Sequence, residues 1–351
     1  MKLLIFSGLS DHKLKSKIAP IIAVDKVDTV FLVRNVPLDY HKIKSLSVPS
    51  FLRIPFIKEC FKLAYAIVTL AKNDIDYIVG IYLRPHGLLA YIAGRLFRIP
   101  VIQLLIGDDV DWVMKHSRLF KRVLMRARNI GFRGTRSQER VEKLIQRESG
   151  YFIHYNVFSI PSYKKKTVSS KKEIDIINIS HYEKVKRIDF FIKVISELHK
   201  AYPQIKVVLA GKDVGKSKMK YQKMAERMGL ERNIQFLGYV DNVMDLMMKS
   251  KIFMMTSKAE GLPMVMIEAM SVRLPCVLPD VGNISDVAIN NQNAILVNSS
   301  NVDGFIQGTK RLMEDFSLVK KISENAYATI KNLENEFSLE SIKKTWEGLL
   351  V

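Results

Sequence analysis

Strand-length apolar runs alternate with longer stretches of helical periodicity along almost the whole chain, a pattern that predicts parallel α/β units. In the first half, Leu3–Ser7, Thr29–Val33, Tyr77–Ile81, Val101–Leu105 and Ile130–Phe132 read as strands. Helical periodicity covers Phe51–Lys72, Gly87–Phe97, His116–Ala127 and Gln138–Gln146, and the polar, proline-bearing Arg34–Ser50 reads as a loop or lid. From Tyr151 to Lys172 the period breaks into Ser, Lys and Pro, the composition of a surface linker. The alternation then restarts. Strands are predicted at Ile174–Ile179, Val207–Ala210, Ile234–Leu237, Ile252–Met255, Cys276–Leu278 and Ile295–Val297. Helices are predicted at Ile188–Lys200, Met219–Met228, Val243–Met248, Pro263–Val272 and Val302–Glu314, and a last one opens with Ser338 as N-cap.

The same α/β plan is thus used twice. Residues 1–160 form one predicted doubly wound domain, 161–172 a linker and 173–335 a second domain; 336–351 is a final helix expected to pack back toward the first. Open parallel sheets bind ligands beyond the carboxyl ends of their strands, and two such sheets are expected to face one another across a cleft. The chemistry is therefore sought in the strand-to-helix loops.

Charge adds a partner class. The chain has 55 Lys+Arg against 35 Asp+Glu, a formal +20, which points to nucleic acid, a membrane surface or a phosphorylated substrate. The basic segments lack interleaved aromatic stacking platforms, so no nucleic acid is expected. Two cysteines in different domains, Cys60 and Cys276, form no disulfide framework and suit a reducing cytoplasm. No apolar run approaches the roughly 18 residues of a membrane span. The expected location is cytoplasmic, with peripheral contact to the inner face of an anionic membrane through Phe51–Lys72, where Phe, Ile and Leu mix with Arg and Lys.

The most informative stretch is residues 252–277, IFMMTSKAEGLPMVMIEAMSVRLPCV. It reads as a buried strand, a loop carrying Glu260 and Gly261, and a helix opening at Pro263, whose missing N–H suits a first helical turn. The free amides of such a helix start suit a phosphate. Glu268 lies among apolar helix residues, where a carboxylate needs a partner: sugar or ribose hydroxyls, or a structural cation.

This stretch closely resembles the signature of glycosyltransferase family 4, which has the GT-B fold of two Rossmann-like domains. The flanks resemble it too: a strand and Gly-x-Val turn at 233–240, and a loop at 279–297 in which Asp286 stands for the family's acid and Ala294 for its glycine. The resemblance implies that Glu268 binds the donor ribose, Glu260 the transferred sugar, the backbone of Gly261, Leu262, Pro263 and Met264 the diphosphate or sugar, and Gly238, Tyr239 and Val240 the nucleobase. The family's diphosphate-neutralising Arg-x4-Lys pair falls on His181 and Lys186, so one charge is absent or is supplied by Lys184 or Arg187. In the first half the family's His-Gly-x-Asp survives as Gly107 and Asp109, with Ile106 in place of the histidine. Asp109 is the candidate polar group near the reacting carbon, or else a helix N-cap. Gly8 is assigned to the donor phosphate or acceptor, and His86 to the acceptor side.

The implied activity is retaining, metal-independent transfer of a hexosyl or related unit from a UDP- or GDP-sugar, as co-substrate, to a hydroxyl of a glycan or lipid-linked glycan in cell-surface polysaccharide or glycolipid synthesis. The rival readings are a sugar-nucleotide-binding protein without transferase activity and a basic nucleic-acid-binding protein.

Overall fold

A computed structural model describes residues 1–49, 51, 54–115, 118–160 and 172–351. The chain divides into two compact units: residues 1–159 with 335–351, and residues 160–334. Apart from Lys172, the expected linker at 161–172 lies outside the described residues, as do residues 52, 53, 116 and 117 of two predicted helices.

In the first unit the order is β1 (Lys2–Phe6), α1 (Asp11–Ile22), β2 (Thr29–Arg34), β3 (Ile43–Ser47), α2 (Pro55–Lys72), β4 (Tyr77–Ile81), α3 (Leu88–Phe97), β5 (Val101–Leu104), α4 (Asp109–Lys115), α5 (Arg118–Met125), β6 (Asn129–Phe132), α6 (Thr135–Ile145) and β7 (Tyr151–Ile153). All strand pairs are parallel, in the order β3-β2-β1-β4-β5-β6-β7. The strand order reverses at β1/β4. Central strands such as Leu3–Phe6 and Ile78–Ile81 are buried on both faces, which is why they read as unbroken apolar runs.

The second unit runs β8 (Ile174–Ile179), α7 (Ile188–Ala201), β9 (Val207–Ala210), α8 (Ser217–Arg227), β10 (Ile234–Gly238), α9 (Val243–Met248), β11 (Ser250–Met254), α10 (Met264–Ser271), β12 (Cys276–Pro279), β13 (Ile295–Val297), α11 (Val302–Glu314) and α12 (Phe316–Leu333). Its parallel sheet is ordered β10-β9-β8-β11-β12-β13, with the reversal at β8/β11. The final α13 (Leu339–Leu349) returns to the first unit, where Trp346 and Ile342 join the core of β1, β4 and β5. Ser338 Oγ accepts the Ser341 amide as its N-cap.

Four expectations change. The supposed loop or lid at Arg34–Ser50 contains the edge strand β3, whose half-exposed alternation is too polar to read as a buried strand. The stretch 116–127 contributes only α5, because α4 already begins at Asp109. The irregular segment from Tyr151 opens with the three-residue β7. Two helices were unforeseen: α1, which carries an internal Pro20, and α12, which is capped by Asp315 and buries Ile322, Ala326 and Ile330 at four-residue spacing.

Candidate functional site

The reversal point of the second sheet brings the loops after β8 and β11 side by side, and these carry the predicted charged residues. Lys186 Nζ lies 2.7 Å from Glu260 Oε1. Two further donors stitch the loops: Lys258 N–H donates to the Val185 carbonyl at 2.8 Å, and Thr256 Oγ1 donates to the carbonyls of Lys186 and Arg187 at 3.2 and 3.3 Å. The loop after β12 closes on the same spot, with Asn283 N–H donating to the Gly261 carbonyl at 3.0 Å. Gly282 makes this approach possible: its φ is +58°, and a Cβ there would stand 1.9 Å from the Glu260 carbonyl oxygen. Gly282→Ala should cost about 1–3 kcal/mol, because the clash is with backbone that has no rotamer to change. Equilibrium denaturation measures the loss, and an unchanged midpoint would remove Gly282 from this account.

Helix α10 begins at Met264, one residue later than predicted, with Pro263 as an extended N-cap at ψ 118°. Nor is it buried all round. Met266, Ile267, Ala269 and Met270 face the core, whereas Gly261, Met264, Val265 and Glu268 form a half-open stripe continuous with the loop. Burial raises the pKa of Glu268, and no protein group among the described residues bonds or pairs with its carboxylate. Leu262 and Pro263 are buried beneath it.

The other assigned positions of this unit spread over neighbouring loops. Gly238 ends β10, and its carbonyl accepts the Gly211 amide at 2.7 Å. Tyr239 projects outward and Val240 is half-buried. His181 is half-buried at the start of the loop that ends in Lys186. Of the two substitutes for the missing family arginine, Arg187 is already committed, donating to the Ser299 carbonyl at 2.5 Å and lying over the Phe190 ring; Lys184 is exposed.

In the first unit, the β1/β4 reversal point pairs Gly8 with His86. A Cβ on residue 8 would meet His86 Cε1 at 2.6 Å. His86 Nε2 lies 3.3 Å from the buried Lys62 ammonium, which in turn pairs with Glu59 at 2.8 Å. Burial, then the Lys62 charge, lowers the His86 pKa to about 3, so the ring is neutral. Lys62 was missed in the sequence because a lysine on an amphipathic helix reads as solvated. Asp109 is neither exposed nor a side-chain N-cap. Its Oδ2 accepts the amides of Leu83 and Ile106, both at 3.0 Å, and so clamps the loops after β4 and β5. Burial raises its pKa to about 7, against the pull of those amides. Asp111 turns instead to Arg140 at 2.7 Å, so the two carboxylates of this Asp-x-Asp serve different partners.

Residues 159–329 match the family model of glycosyl transferases group 1. An uncharacterized glycosyltransferase of Haemophilus influenzae is 24% identical over 176 residues, 50% of this chain and 48% of that protein. The N-acetyl-alpha-D-glucosaminyl L-malate synthase of Bacillus anthracis is 24% identical over 295 residues, 79% of this chain and 75% of that one. Among solved structures, Anabaena Alr3699/HepE in complex with UDP and glucose superposes with a TM-score of 0.78 at 18% identity, covering 100% of this chain and 99% of that one. The architecture of two parallel-sheet α/β domains is that of the GT-B glycosyltransferases.

Proposed function

From the premise that residues 159–329 are a glycosyl transferases group 1 domain, we propose that the chain is a retaining transferase. It moves a hexosyl or related unit from a UDP- or GDP-sugar to a hydroxyl of a glycan or lipid-linked glycan, with no metal required. The observation that carries this reading is the Lys186–Glu260 pair at the sheet reversal, with the unpartnered Glu268 on the adjoining open stripe. In the reaction the bond from the anomeric carbon to the diphosphate oxygen breaks, and the nucleoside diphosphate leaves with the electron pair. The acceptor oxygen bonds to that carbon and passes its proton to an oxygen of the departing diphosphate. Lys186 meets the negative charge that grows on the leaving group, and the amides of Gly261–Met264 add donors at the helix start. Glu268 takes the ribose hydroxyls and Glu260 those of the sugar. UDP-sugar donors are favoured by the UDP-bound likeness. A thermal-shift panel of UDP-, GDP- and ADP-sugars is expected to show selective stabilisation by one base, as mass action requires. A flat response to all three would overturn the reading.

Peripheral membrane contact is part of the proposal. The outer side of α2 and the residues before it expose Phe51 (76%), Ile54 and Phe56 (77%) next to Lys58, a wedge suited to an anionic interface. No helix of the described residues is long and apolar enough to cross a membrane. The chain should float with anionic vesicles at low salt and less so after Phe56→Glu; equal flotation of both would discard this surface.

A further inference from the structure

Away from the loops discussed above, the first unit gathers three buried nitrogen-bearing side chains. They are Lys17 on α1, Arg133 directly after β6 and His154 directly after β7, with exposures of 5%, 4% and 1%. Arg133 Nη1 donates to the His154 carbonyl at 2.6 Å, and Lys17 Nζ donates to Asn156 Oδ1 at 2.8 Å. Trp346 Nε1, on α13, donates to His154 Nδ1 at 3.2 Å, which leaves the ring proton on Nε2. Arg133 Nη2 and His154 Nε2 are both buried without a hydrogen-bond partner. Two N–H donors and an ammonium therefore share one neighbourhood, and no carboxylate is paired with any of them among the described residues.

The groups felt at this point are cations and phenols. Burial, then Arg133 and Lys13, lowers the pKa of Lys17; burial, then Lys17 and Arg133, lowers that of His154; burial lowers that of Arg133 to about 10 against the pull of Tyr155 and Tyr82, so the guanidinium keeps its charge. Buried cations crowded without a counter-charge are costly, and buried N–H donors normally find acceptors. A water would satisfy the donors but leave the charge unmatched. An oxyanion does both, offering negative charge, several lone pairs and two neighbouring oxygens that a guanidinium fork can take together.

We propose that Lys17, Arg133 and His154 form an oxyanion-binding site, which takes a phosphate or carboxylate group of a ligand. If the transferase reading holds, that group belongs to the acceptor, and the site makes the enzyme selective for anionic acceptors. The binding itself does not depend on that reading.

Inorganic phosphate and acetate, titrated against the full chain at constant ionic strength with chloride as reference, test the proposal. Phosphate or acetate should raise the melting temperature, also with saturating UDP present and also in Lys186→Met; the stronger of the two names the group. Lys17→Met and His154→Gln should weaken the response about tenfold. The His154 imidazole resonances of the parent protein should move during the same titration, a readout that needs no variant to fold. No oxyanion response beyond chloride overturns the site. So does a response that UDP abolishes, or one accompanied by motionless His154 signals. A chain that binds oxyanion here but transfers no sugar refutes the transferase reading and leaves the site standing.

Discussion

Glu260→Gln should lower the turnover of sugar transfer about 10²–10³-fold, the usual cost of removing one preorganised polar group at a reacting centre. The substitution keeps the shape and leaves the backbone contacts of Gly282 and Asn283 in place, so melting should change little. Among the described residues, the side-chain partner of Glu260 is Lys186. Lys186→Met should therefore lower turnover as well, and the double variant should lose less than the sum of the two, since residues in contact are non-additive. Glu268→Gln carries the opposite structural sign. Because the carboxylate is desolvated and unpartnered, removing its charge should leave the fold no less stable, and more stable as pH rises. The sign follows from linkage: a carboxyl whose pKa is raised by folding favours the folded state only while protonated in both states. That advantage shrinks as pH climbs through the unfolded pKa toward the folded one. Donor binding, read as the thermal shift given by the preferred nucleotide sugar, should nevertheless fall sharply in Glu268→Gln. Parent-like kinetics in both glutamate variants would end the site assignment.

Trp346→Ala should destabilise the first unit by about 3–5 kcal/mol, a large part of the 5–15 kcal/mol that holds an ordinary domain together. The indole is fully buried. It meets Phe152 edge-on at 5.6 Å between ring centroids and His154 at 5.7 Å, and its N–H bonds His154. Tyr77 Oη adds a 2.5 Å bond to the Val351 carbonyl near the same helix end. Thermal unfolding should show the first unit melting earlier while the second keeps its transition, and an unshifted first transition would mean that α13 is dispensable.

Much of the second unit was legible because its strands are short and dominated by aliphatic residues, so Ile174–Ile179, Val207–Ala210 and Ile295–Val297 appear at their expected bounds. Glu260 and Lys186 stood out through the family resemblance, and Glu268 because a carboxylate among the apolar residues of a helix needs a partner. What one-dimensional reading missed is mutual placement. Nothing in the local pattern around Gly282 says that it rests on the Glu260 carbonyl, 22 positions earlier in the chain. Nor does a lysine within α2 announce that it reaches a histidine after β4. Asp109 is a further case: the resemblance singled it out, but nothing in its local sequence says that its carboxylate binds the amides of both Leu83 and Ile106. Edge strand β3 and helix α1 were hidden because half-exposed polarity and an internal proline both mimic loop.

The return of α13 to the first unit has a consequence for biosynthesis. Residues 1–159 are made first but share their compact unit with 335–351, so that unit is completed only after residues 160–334 have been synthesised. During that interval the face awaiting Trp346, including Phe152, stays open to solvent and is a natural client surface for nascent-chain chaperones.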